Sequence, residues 1–166
     1  ARNLGFILDS DLSMKTHIKA VCQLAHYELR RISSIRRFLT QEATKTLVTS
    51  CILSRLDYCN SLLMGTDKAT IMPMQQIQNY AARLIFGASR RQPATPFLRS
   101  LHWLPVSERI KFKVCCVCFN TLTGTAPAYL SGLVPKYSNL AKLRSASDSK
   151  HLQEFNYKRK THGFRS

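Results

Sequence analysis

Asp9 and Asp11 are the closest pair of carboxylates in the chain, and paired acids are where metal or acid–base chemistry would begin. A hard cation needs about six converging oxygens. Two carboxylates in a Ser-containing turn ahead of a helix serve as turn and cap acceptors instead, so the pair reads as local backbone chemistry. Cys115-Cys116-x-Cys118 lacks a second Cys or His pair at zinc-module spacing and lies in a helical pattern, which reads as core. The five histidines form no closely spaced pair, and no P-loop, nucleophile elbow or dinucleotide motif occurs. A self-contained enzyme is not expected; no catalytic residue and no metal ligand are assigned.

Positive charge, in contrast, comes in register. Lys15, Lys19, His26, Arg30 and Arg37 are spaced 4, 7, 4 and 7 residues apart. At about 100° per residue they fall within roughly 60° of one another, beside the apolar face of a helix rather than opposite it. The rail is about 33 Å long at a rise of about 1.5 Å per residue. Duplex nucleic acid carries a phosphate charge about every 1.7 Å of axis, so such a rail can meet several phosphates. Ordinary solvation of an amphipathic helix accounts for the same side chains. Against it stands the absence of alternating charge: after Asp11 the helix has only Glu28. Both readings stay open, and Arg31 and Arg36 lie off the rail. Arg83, Arg90 and Arg91 flank a Gly-containing loop, as phosphate contacts or as solvated loop charge. Trp103, in Leu-His-Trp-Leu-Pro, can stack on a base; between two leucines it reads more readily as a packing anchor.

The elements that must carry these residues are mostly helical. Leu4 to Leu8 reads as one short buried strand. Ser13 is the expected cap of a helix over about 14–38, with Ile18, Val21, Cys22, Ala25, Leu29 and Ile32 inward. A second helix is expected from after Thr40 to Gly65, and a third from near Asp67 or Thr70 to Gly87, its regular part starting at Pro73. Thr95-Pro96 opens a short helix ending near Leu101. Pro105 opens a long one to about Leu122, apolar nearly all round and therefore expected to be central and most buried. A brief helix follows at 127–134.

With 45% hydrophobic residues the 166-residue chain can bury a core. Its 25 Lys and Arg against 9 Asp and Glu, a formal +16, point to a polyanionic partner, nucleic acid first and a membrane surface second. No apolar run approaches the roughly 18 residues that span a bilayer, and no signal-peptide pattern is read. The six cysteines read as free, in a cytoplasmic or nuclear setting. Residues 136–166 carry eight Lys or Arg against Asp148 and Glu154, a basic tail expected to be poorly ordered.

Five strings in order, NLGFILDSDLSMKTHI, SRLDYCNSLL, IQNYAARLIF, TPFLRSLHWLPVSERIKFK and LTGTAPAYLSGLV, carry a resemblance that spans about residues 1–145. Together they resemble the region downstream of the catalytic palm in reverse transcriptases of LINE-type (non-LTR) retrotransposons. The resemblance implies that Leu4 and Gly5 belong to the primer-grip segment, at the last palm strand, and that the helices after it form the thumb. The strand's partners and the Tyr-x-Asp-Asp carboxylates that hold two metal ions would lie upstream. Mg is thus expected in a missing palm and no cofactor in this fragment. Tyr80 and Gly132 depart from the family's usual small residue and acid.

The expected fold is mainly α: a helical thumb-like bundle with one short N-terminal strand segment and a basic tail. Its divisions are 1–12, the end of the palm; 13–135, thumb and post-thumb; and 136–166. The expected function is a fragment of an RNA-directed DNA polymerase that grips the template–primer duplex of RNA and DNA and lacks the palm. The rail and Arg83, Arg90 and Arg91 would make the contacts, with missing palm and fingers as partners and no membrane or small-molecule substrate. Two alternatives stand beside it: a stand-alone or host-reused helical module that binds nucleic acid or protein without enzymatic activity, and a remnant with no stable fold.

Overall fold

Gly5 splits the expected strand. In the computed structural model, which describes residues 2–133, β1 (Arg2–Asn3) pairs antiparallel with β2 (Phe6–Ile7), with Arg2 opposite Ile7 and Asn3 opposite Phe6. Leu4 and Gly5 turn the chain with φ of +46° and +86°, the paired positive angles of a two-residue hairpin loop. Glycine takes such an angle freely, whereas leucine gives up about 1–2 kcal/mol. The Tyr58 hydroxyl, donating to the Leu4 carbonyl, holds the turn from the far side of the sequence. The hairpin docks through Phe6, buried and stacked on His17 with ring centroids 3.8 Å apart.

α1 (Lys15–Ile35) buries Ile18, Cys22, Ala25, Leu29 and Ile32 on one stripe, together with His17. Its start is not capped by Ser13. Met14 takes the cap position at φ +60°, and Asp9 Oδ2 accepts from the Thr16 amide (3.3 Å) and the Ser13 hydroxyl (3.1 Å). Hydrogen bonding, from Thr16 above all, holds the Asp9 carboxyl below its ordinary range. A 3-10 turn over Arg36–Phe38 ends the helix.

The expected helix to Gly65 is broken into pieces. α2 (Gln41–Val48) is capped by Thr40, whose Oγ1 accepts from the Ala43 amide at 3.2 Å. A π-helical stretch, Thr49–Leu53, joins it to α3 (Ser54–Asp57). The chain then turns at Tyr58 and Cys59 into a 3-10 segment, Asn60–Leu63. The Ser50 hydroxyl bonds back to the Thr46 carbonyl at 2.9 Å and the Ser54 hydroxyl to that of Ser50, the local competition that loosens a helical ladder.

α4 (Lys68–Phe86) is the central helix. It buries Ile71, Met74, Ile77, Gln78, Ala81, Ala82, Leu84 and Ile85 and packs against α1, α2 and the short α5 (Thr95–Ser100). It begins five residues before Pro73, because Asp67 caps it by accepting from the Thr70 amide at 2.8 Å. Gly87, at φ +63°, closes it, with the Ala88 amide reaching back to the Arg83 carbonyl at 2.9 Å. Arg36 completes that end: Nε donates to the Leu84 carbonyl and Nη2 to that of Ile85, both at 2.9 Å.

α6 (Val106–Leu122) is not the buried centre that its composition suggests. The chain divides into two compact units between Lys111 and Phe112, inside this helix. Within the first unit, Val106 and Ile110 join the core and Trp103 packs against it. Within the second, Phe112 and Phe119 are each 60% exposed, and Thr121 is the only buried residue from Phe112 to Leu133. An all-round apolar helix has no unique inward face, so composition alone could not place it. The expected helix at 127–134 is a 3-10 turn over Ala128–Leu130.

Among the cysteines, Cys22 is buried, its thiol pushed up to about 11 by burial, but Cys115 is exposed and is no part of a core. Cys116 and Cys118 are half-buried. The expectations for the basic tail lie outside the described residues.

Candidate nucleic-acid interface

α1 and α4 pack side by side, and the outward shoulders of the two helices line an open groove of about 760 Å³. From α1 come Gln23, His26 and Arg30; from α4 come Gln76, Tyr80 and Arg83, at i, i+4 and i+7 on one face. Arg90 closes the lining from the loop beyond α4. Two interactions shape that loop. Arg83 Nε donates to the Gln92 carbonyl at 2.7 Å, and the Arg90 guanidinium lies over the Tyr80 ring, 5.3 Å from its centroid. No carboxylate lines the groove.

The structure thus brings together four of the residues singled out by charge and spacing: His26, Arg30, Arg83 and Arg90. Lys15 and Lys19 are exposed on α1, nearer its start, and do not line the groove. Arg37 lies beyond the end of α1, in the 3-10 turn, with its guanidinium 4.6 Å from the Phe38 ring centroid. At about 120° per residue over its first two positions, the 3-10 turn carries Arg37 only about 20° past Arg30 around the axis, so Arg37 extends the rail beyond α1. Arg91 is exposed and outside the lining, and Leu4 and Gly5 form the hairpin turn. Of the two arginines placed off the rail, Arg31 pairs with Glu28 at 3.3 Å and Arg36 caps α4.

Gln23, Gln76 and Tyr80 were not among the expected contacts. A signal for them existed: Gln76, Tyr80 and Arg83 repeat on α4 the helical spacing that marks the rail on α1, but a polar face with one charge does not stand out by charge counting.

Three carboxylates of the first unit are engaged elsewhere. Asp9 serves the start of α1, Asp11 accepts from the Ser13 amide at 3.2 Å, and Asp57 pairs with both Arg109, through Nε at 2.8 Å and a terminal nitrogen, and Asn60. Among the described residues no three His, Cys, Asp or Glu side chains converge as a metal site would require. No helix among them is long and apolar enough to cross a membrane. No family model, curated protein or solved structure matches the chain.

Proposed function

We propose that this chain is the thumb and post-thumb part of a LINE-type reverse transcriptase, which holds the RNA and DNA of a template–primer duplex by its phosphates while a palm outside this chain does the chemistry. The observation that carries the binding half of the reading is the exposed face of α1: Lys15, Lys19, His26 and Arg30 in one register, continued at the groove by Arg83 and Arg90, with no acid in the groove lining. Cations fixed on a rigid helix meet phosphates without reading bases, which is what a polymerase moving along any sequence needs. The polymerase half rests on the five ordered strings of sequence. The Mg ions of the reaction belong, on this reading, to the palm carboxylates.

The binding half predicts a specific salt response. Replacing Lys15, Lys19, Arg30 and Arg37 by Gln should flatten the slope of log affinity against log salt for duplex by about 3 to 4, at about 0.9 per phosphate contact. An unchanged slope would take the binding surface away from α1. The polymerase half is tested by sequencing the transcript upstream of the codon for Ala1. An open frame with a Tyr-x-Asp-Asp turn between apolar strands supports it; a spliced host exon there would favour a reused helical module that binds without catalysis.

A further inference from the structure

Three kinds of side chain meet in the groove between α1 and α4, and together they exceed what phosphate contact along a duplex uses. Arg30, Arg83 and Arg90 supply fixed positive charge, and Arg83 spends one of its five N–H donors on the Gln92 carbonyl. Gln23 and Gln76 supply neutral donors and acceptors, of the kind that match the edge of a base, and His26 adds a ring N–H donor. Tyr80 supplies an aromatic face, and the guanidinium of Arg90 already lies over it at 5.3 Å. Arg90 covers the loop side of that ring, so a base stacks at Tyr80 either by taking the guanidinium's place or by lying on the guanidinium's outer side. Bases stack both on tyrosine and on guanidinium planes. The volume of about 760 Å³ falls in the range of roughly 300–1,000 Å³ typical of small-ligand pockets. A nucleotide fits within such a volume.

We propose that this groove binds an unpaired nucleotide of single-stranded nucleic acid, with its base stacked at Tyr80 and its phosphates on Arg30 and Arg83. The inference rests on the reading of α1 as a nucleic-acid-binding face and adds a second mode to it. His26 and Arg30 belong to both the rail and the groove, so a duplex lying along α1 delivers its unpaired extension to Tyr80.

The test uses the whole 166-residue chain, a single-stranded oligonucleotide carrying one 2-aminopurine, and a blunt duplex of the same length. Stacking on an aromatic side chain quenches 2-aminopurine, so the unaltered chain should quench the single strand on binding. Tyr80→Leu keeps apolar bulk against the core but removes the aromatic face. It should abolish the quench and weaken single-strand affinity about tenfold, within the range found for one base–aromatic stack, a larger factor than any loss of duplex affinity through a displaced Arg90. Tyr80→Phe should keep both. Lys15→Gln, Lys19→Gln and Arg37→Gln combined should do the reverse, weakening duplex binding and retaining the quench at saturation. Quench and single-strand affinity unchanged in Tyr80→Leu would overturn the proposal and leave duplex binding by α1 standing. A free mononucleotide that binds as tightly as the strand, with the same dependence on Tyr80, would overturn the assignment to a strand. Failure of the unaltered chain to bind either oligonucleotide would overturn the groove and the α1 reading together.

Discussion

His17 sits 5% exposed on α1, stacked on Phe6, and its Nδ1 accepts from the Ile7 amide across 3.4 Å. Only the unprotonated nitrogen can accept. Burial lowers the pKa of His17 below its ordinary 6.5, and the negative charge of Asp9 opposes this more weakly. As pH falls below 6.5 the unfolded chain therefore takes up a proton that the native chain resists, and stability declines; above 6.5 the contribution is complete. Thermal unfolding should accordingly occur at a lower temperature at pH 5 than at pH 7.5, and His17→Phe, which keeps the stack, should shrink that difference. An equal difference in both proteins would mean that the hairpin is not held by a neutral imidazole. The inward stripe of α1 at Ile18, Cys22, Leu29 and Ile32 could be read from spacing because burial of one face repeats with the helix. The roles of His17, Arg36 and Asp57 could not. Their partners are 10, 48 and 52 positions away in sequence, and no local pattern reports a contact at that separation.

Among the elements, α1 and α4 carry the candidate interface, and α4 contains an anomaly. Pro73 is exposed six residues into the helix and has no N–H to offer the Ala69 carbonyl one turn back. The expectation that regular helix starts at Pro73 weighed that missing bond and undervalued the cap at Asp67, which sets the start. Pro73→Ala should stabilise the fold by about 1–2 kcal/mol, since restoring the bond and helix propensity outweighs the freedom returned to the unfolded chain. Urea unfolding measures this, and a destabilised variant would show that the ring packs usefully where it is. The π-helical stretch at Thr49–Leu53 was hidden for a different reason. Its residues suit an α-helix equally well; the wider turn coincides with hydroxyls bonding back to the ladder and with the burial of Ile52 and Leu53, neither of which separates it from α2 by sequence. For α6 the hydrophobic count was right and the inference from it wrong, because an apolar surface shows no direction.

For the whole chain, a formal +16 is a standing self-repulsion that a polyanion relieves. The charge excess is plain from the sequence, and the mainly helical class is legible in the apolar spacing. What the sequence could not show was that Arg83 and Arg90 return to the same groove as His26 and Arg30, since that depends on α4 lying beside α1 and on the loop beyond Gly87 folding back over Tyr80. The proposed function requires nucleic acid to lie on this face. Its most direct test is an amide-resolved NMR titration of the 166-residue chain with an RNA–DNA hybrid duplex. Bound hybrid should shift amides that trace α1 through Lys15, Lys19, His26 and Arg30 and continue at Arg83 and Arg90. Shifts confined to positions from Lys136 onward, with α1 unmoved at saturation, would contradict it.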